Sequence, residues 1–230
     1  MTKIRAVVFD LDGTLIDSVP DITTALNRCL TTQGRAEMTE PEVTRLVGGG
    51  ARELVARALG GETAAANVDR VLAAFLDFYE AEPVRRTVLY PGAHDILAEC
   101  ARHGLQLGIC TNKPKQVTSI VLDALGLEPY FSVVWAGEPG KPLKPEAACL
   151  RSVCRELDVE PSRVVMVGDS HADVEAARAA GCYSIVVRHG YESRPLESLG
   201  ADAVVDGLPQ TLQMLTRWAC DGITPLYPAG

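Results

Sequence analysis

Aromatic side chains make up only 5% of this 230-residue chain. A core built from it must be packed mostly with Val, Leu, Ile and Ala, a composition that suits a parallel sheet covered by helices on both faces. Positive charge is also scarce: 22 Lys and Arg stand against 30 Asp and Glu, for a formal net charge of −8. That balance argues against nucleic acid or an anionic membrane as the main partner, although a metal ion and a few local cations can still dominate one pocket. No segment approaches the roughly 20 apolar residues of a membrane span. Residues 1–5 run straight into a short apolar strand, without the apolar stretch of a signal peptide. The seven cysteines form no Cys-x-x-Cys pair. We read them as reduced structural thiols and expect a cytoplasmic protein. There is no Gly-x-x-x-x-Gly-Lys-Ser/Thr loop. Gly48-Gly49-Gly50 is no dinucleotide fingerprint, because Glu53 follows where a glycine is needed and helical sequence precedes it.

What is present is a rhythm. Apolar runs at residues 6–9, 107–110, 133–135, 164–167, 184–187 and 203–205 predict strands buried on both faces. Helical periodicity at 95–103, 117–125, 145–157, 173–180 and 208–219 separates the later runs, with Gly104 and Gly126 as C-caps. This alternation predicts an α/β fold: an open, Rossmann-like parallel sheet with right-handed crossovers. The interval between the first two strands breaks the rhythm. Residues 21–32, 39–47, 52–59 and 68–80 all show helical spacing, and no strand pattern occurs among them. We therefore expect a core made of residues 1–16 and 88–230, an inserted α-helical cap over 17–87, and a loose tail over the last ten residues.

Four short motifs fall at predicted strand ends, where open α/β sheets bind ligands. The first is Asp10-Leu11-Asp12-Gly13-Thr14. In extended chain, residues i and i+2 point the same way, so Asp10 and Asp12 approach one space, and Gly13 lets the backbone turn close to a ligand. Asp and Gly also make ordinary turns. The second is Thr111-Asn112-Lys113, where Thr111 can donate a hydroxyl to an anion, although Thr-Asn also caps helices. The third, Lys141-Pro142-Leu143-Lys144-Pro145, offers two lysines beside prolines, a run that is more commonly a solvated loop. The fourth is Gly168-Asp169-Ser170-His171-Ala172-Asp173, whose acids also suit a helix N-terminus. Together the motifs mean more. Two carboxylates ~4 Å apart at an effective dielectric of 20 repel by roughly 4 kcal/mol, so such a cluster calls for a cation. Oxygen donors without His or Cys select a hard ion, most naturally Mg²⁺.

In this order the four motifs resemble those of the haloacid dehalogenase (HAD) superfamily, and the long helical insertion resembles that superfamily's first class of cap. Residues 46–51, Tyr90-Pro91-Gly92 and residues 110–114 are most similar to phosphoglycolate phosphatases. The resemblance implies a HAD-like core and a phosphatase acting on a small-molecule phosphate ester, most readily 2-phosphoglycolate, as a monomer or homodimer. It assigns Asp10 as nucleophile and Asp12 as general acid and base, with Gly13, Thr111, Asn112 and Lys144 around the phosphoryl group. Asp10, Asp169 and the Asp12 carbonyl would hold Mg²⁺, and Asp173 would support the ion or orient Lys144. Lys141 is the rival for the Lys144 role. In the cap, the Gly48-Gly49-Gly50 loop and Arg52 are the expected readers of the substrate's carboxylate, against the alternative of a plain turn and a surface arginine.

Other functions fit less of the sequence. A serine hydrolase built on Ser170 would leave Asp10, Asp12 and Lys144 unexplained. A dehalogenase would not need Asp12. A sugar phosphomutase shares all four motifs and stays open. A non-catalytic phosphate-binding protein would be signalled by loss of Asp10 or Asp12, and both are intact.

Overall fold

The structure is a computed structural model that describes residues 3–61 and 64–222. All six predicted strands form and join one parallel sheet. In chain order they are β1 (Ala6–Phe9), β4 (Gln106–Pro114), β5 (Val133–Gly137), β6 (Val164–Gly168), β7 (Tyr183–Val187) and β8 (Ala203–Val205), arranged as β5-β4-β1-β6-β7-β8. β1 is thus flanked by β4 and β6, and the winding reverses beside it. That reversal opens a crevice at the carboxyl ends of these three strands, the general ligand position of such sheets.

Strand alternation divides the core. Val7 and Phe9 pack into the larger cluster with Ile109, Val167, Ile96 and Leu215, whereas Ala6 and Val8 pack into a second cluster with Met166, Leu150, Val153 and Cys149. The larger cluster is covered by α5 (Ala93–Arg102), α6 (Lys115–Ala124) and α9 (Leu208–Asp221), the second by α7 (Ala147–Glu156) and α8 (His171–Ala180). Both faces are therefore dry over the central strands, as the unalternating apolar runs require, but in the edge strand β5 the predicted two-sided burial fails, with Val134 43% exposed. Six of the seven cysteines are buried, and all are free thiols.

Between β1 and β4 the chain forms α1 (Val19–Thr32), α2 (Glu40–Thr44), α3 (Ala51–Ala58) and α4 (Ala65–Ala81), and no strand lies among the described residues 18–87. Two short strands were not predicted. β2 (Ile16–Asp17) and β3 (Val88–Leu89) pair antiparallel, Asp17 against Val88. Two residues are too few to show a period in sequence. The ribbon brings the exit and return of the helical segment side by side. Residues 221 and 222 of the expected tail are described, with Asp221 ending α9, and the rest of it lies outside the described residues.

Candidate active site

Asp10 leaves β1 with its own N–H donated to the Val167 carbonyl of β6, 2.9 Å away. One carboxylate oxygen accepts the Leu11 N–H at 2.7 Å, and the other lies 2.8 Å from Lys144 Nζ. Lys144 is 4% exposed, and its ammonium also lies 2.6 Å from Asp173 Oδ1. The other oxygen of Asp173 accepts the backbone N–H and hydroxyl of Ser170 at the start of α8. Asp169 is buried, accepting the Thr14 hydroxyl at 3.1 Å on one oxygen and the Tyr191 N–H at 2.7 Å on the other.

Oxygen atoms of Asp10, Asp169 and Asp173 lie within 4.8 Å of one another. Three buried carboxylates thus share one buried ammonium. Burial raises the Asp10 carboxyl to about 6, Lys144 opposing the rise and Asp173 adding to it. Asp169 is also held well above the usual carboxylate range, by burial and then by repulsion from Asp173 and Asp10. Burial works against the Lys144 charge, but Asp10 and Asp173 outweigh it and keep the ammonium protonated. An all-oxygen, electron-rich pocket of this kind fits a hard divalent cation.

Glycine is obligatory in this crowding. Gly13 has φ +80°, and a Cβ there would stand 2.5 Å from Asp169 Oδ2. A Cβ on Gly190 would stand 2.1 Å from the Asp169 Cβ.

The second motif divides its labour. Thr111 is buried, and its Oγ accepts the Lys113 N–H at 3.2 Å, which leaves the hydroxyl proton free to donate. Asn112 departs from expectation. Its amide nitrogen donates to the Gly48 and Lys144 carbonyls, each at 2.9 Å, and its oxygen accepts the Lys144 N–H at 2.8 Å. With both side-chain N–H groups spent on protein, the Asn112 amide clamps Lys144 and the glycine loop and has no side-chain donor left for substrate. Lys141 stands apart, paired with Glu138 and 4.9 Å from the Trp135 ring centroid.

The cleft above these groups measures about 370 Å³ and is walled on the helical side by Gly48-Gly49-Gly50, Arg45, Arg57 and Tyr79. Arg52 is not among its lining residues. It pairs with Asp69 of α4 at 2.9 Å, with 53% of its side chain exposed. The expectation that Arg52 reads the substrate is corrected by helical phase. Leu54 and Val55 form the buried stripe of α3, and Arg52 and Arg57, five residues apart, are rotated by about 140° to opposite sides of it. Of the two, Arg57 is the one that lines the cleft.

A profile of the haloacid dehalogenase-like hydrolases matches residues 7–187, which includes all four motifs. The chain belongs to this family. It is 43% identical over 210 residues to the phosphoglycolate phosphatase of Rhodospirillum rubrum, covering 88% of this chain and 87% of that one. A crystal structure described as a predicted phosphoglycolate phosphatase from Haemophilus somnus superposes with a TM-score of 0.84 at 27% identity, covering 93% of this chain and 98% of that one. CbbY from Rhodobacter sphaeroides, solved in complex with phosphate, superposes with a TM-score of 0.73 at 29% identity over 89% of this chain and 95% of that one.

In this haloacid dehalogenase-like hydrolase, sequence reasoning passed over two site residues. Lys113 is 4% exposed and its Nζ lies 2.7 Å from Asp12 Oδ1. Burial opposes its charge, yet Asp12 and Tyr79 hold its pKa above the ordinary lysine range. The predicted strand ends at residue 110, whereas β4 runs on to Pro114 and carries Lys113 to the site beside Thr111. Tyr191 follows β7, another strand end at the same sheet edge. Its N–H holds Asp169, and its hydroxyl accepts the Ser18 N–H and donates to Asp17, each at 2.9 Å. His171 lines the cleft half-exposed, with its ring and N–H on Glu192.

Proposed function

We propose that this hydrolase is a Mg²⁺-dependent phosphoric monoester hydrolase that works through a phospho-aspartate on Asp10, with 2-phosphoglycolate as substrate. The observation that carries the reading is the placement of Asp10. It is a buried carboxylate on the cleft floor, contacted by the Lys144 ammonium, with Asp12 two residues on and Asp169 and Asp173 beside it.

In the first half-reaction an Asp10 oxygen attacks phosphorus, the bond to the ester oxygen breaks, and Asp12 gives that oxygen its proton. In the second, the Asp12 carboxylate takes a proton from water, whose oxygen attacks the same phosphorus and releases inorganic phosphate and free Asp10. Lys144 and the Thr111 hydroxyl hold the transferring oxygens. Asp10, Asp169 and the Asp12 carbonyl would hold Mg²⁺, which supplies positive charge for the phosphoryl oxygens, while Asp173 positions Lys144. The helical residues 17–87 serve as a cap that admits the ester and shields the acyl phosphate from stray water. A small carboxylated alcohol suits a small cleft with Arg45 and Arg57 on its cap wall, and relatives sharing over a third of the sequence are phosphoglycolate phosphatases.

Phosphate release should be measured from 2-phosphoglycolate, glycerol phosphate and sugar phosphates, with Mg²⁺ and after chelation. We expect turnover with Mg²⁺ only, fastest on 2-phosphoglycolate, and none for Asp10→Asn with an unchanged circular dichroism spectrum. Activity that survives chelation, or persists in Asp10→Asn, would overturn the reading. Binding without turnover of any ester would favour a non-catalytic phosphate-binding protein.

A further inference from the structure

Beside the carboxylate cluster lies a second buried charge for which the proposed chemistry has no use. Lys113 comes from β4, with its ammonium 2.7 Å from Asp12 Oδ1. The same ammonium donates to the Tyr79 hydroxyl and sits 4.7 Å from that ring's centroid. Tyr79 belongs to α4 of the cap, is 2% exposed, and packs on Phe75 with ring centroids 5.5 Å apart. The same Asp12 oxygen also accepts the Ser18 hydroxyl from the entry to α1. One oxygen of one carboxylate is therefore held by a strand of the core, and through that strand's lysine by a helix of the cap.

Holding a lysine nitrogen in a dry pocket is costly unless its donors are paired, and here the partners come from both units. A solvated lysine would serve mere solubility, and solubility needs no burial between two polar partners. The buried chain Tyr79–Lys113–Asp12 makes sense as a device for orientation: with Oδ1 pinned, Oδ2 is the oxygen left to exchange a proton with the ester.

We propose that Lys113 and Tyr79 are positioning residues for Asp12, so that the carboxylate is fully aligned for proton transfer only when α4 is seated against β4. This rests on the reading of Asp12 as the general acid. The cap then does more than enclose the substrate. Its seating completes the acid, which couples closure to leaving-group departure and leaves the nucleophile Asp10, held by Lys144, unaffected.

The test is leaving-group dependence. kcat/KM reports steps up to the first departure of the alcohol. An alkyl phosphate such as 2-phosphoglycolate needs a proton at that step, whereas p-nitrophenyl phosphate does not. Tyr79→Phe keeps the ring and removes only the hydroxyl, Lys113→Met removes the charge, and Asp12→Asn is the reference. We expect Asp12→Asn to lose about 10²–10⁴-fold on the alkyl ester, the usual worth of general acid catalysis, and far less on the aryl ester. Tyr79→Phe should show the same selectivity at about tenfold, with KM and melting temperature close to those of the parent, and Lys113→Met should fall between the two. If Lys113→Met does not fold, Tyr79→Phe decides alone. Equal losses on both esters in Tyr79→Phe, or none on either, with Asp12→Asn still selective, would overturn this inference alone. An unselective Asp12→Asn would overturn the reading of Asp12 as the acid, and this inference with it.

Discussion

At the scale of single residues, the site is governed by how little room surrounds Asp169. Gly13 combines a left-handed backbone with contact against that carboxylate. Gly13→Ala should therefore suffer twice, by about 1–3 kcal/mol of backbone strain and by displacement of Asp169. We expect a lower melting temperature together with at least a tenfold fall in turnover and a higher Mg²⁺ requirement. Gly34 is the control. It has φ +66°, but a Cβ added there would meet nothing within 4 Å, so Gly34→Ala should lower the melting temperature and leave turnover intact. The arginines give a second contrast. Arg52→Ala removes an exposed ion pair worth roughly 0–1 kcal/mol and should leave kinetics within about twofold of the parent. Arg57→Ala removes a cleft cation and should raise KM for 2-phosphoglycolate more than for p-nitrophenyl phosphate. The reverse pattern in a steady-state assay would return the substrate-reading role to Arg52.

At the scale of elements, two joints stand out. Asp21, in the first turn of α1, is 3% exposed, and its carboxylate accepts the Arg86 and Thr87 N–H groups and the Thr87 hydroxyl, all within 3.0 Å. It ties the start of the helical segment to its return, next to the β2–β3 ribbon. Asp21→Ala would strand buried donors, each costing about 1–3 kcal/mol. A fall of that order or more in urea-unfolding free energy is expected, and a change within error would mean that water replaces the carboxylate there. The second joint is Glu192, which accepts the His171 N–H and Arg194 and so fastens the loop after β7 to α8. Burial pushes its pKa up, but the bonds from Arg194 and His171 outweigh that and bring it from 4.5 to about 2. A folded-state pKa below the unfolded one contributes stability above the unfolded value and loses it as pH falls through the folded value. Glu192→Gln should therefore be less stable than the parent at pH 7, and urea titrations should show the difference shrinking between pH 4.5 and 2. A gap that does not depend on pH would show that the carboxylate's charge is irrelevant to this joint.

At the scale of the whole molecule, cap and core share one apolar cluster. Val55, Val71 and Phe75 belong to the same continuous set as Phe9, Ile109 and Val167. Burial of that surface, at about 25 cal/mol per Å², favours the seated arrangement of the helical segment on the core. The carboxylate cluster pulls the other way, because repulsion among Asp10, Asp169 and Asp173, offset only in part by Lys144, opposes folding. A bound ion should thus appear as stability. Mg²⁺ at a hundred times its Kd should add about 2.7 kcal/mol, visible as a rise of several degrees in melting temperature. The rise should vanish in Asp169→Asn, and a shift that persists there would place the ion elsewhere.

The sequence by itself determined what depends on local order. Six aliphatic runs specify six strands because a residue buried on both faces leaves no polar alternation, and a parallel sheet puts the residue after each strand at one edge. Asp10, Thr111 and Asp169 were legible as a group for that reason, and Lys144 through its motif. What only the tertiary structure decided depends on helix phase and on pairs far apart in the chain. Arg52 turned outward because α3 buries Leu54 and Val55. Asn112 became a clamp because Gly48 and the Lys144 main chain arrived beside it. Gly190 was fixed by the Asp169 side chain, and Lys113 met Tyr79 only once α4 lay against the core. A local pattern states which way a side chain alternates, but its partners are set by how separate elements pack, and that information is spread over the whole chain.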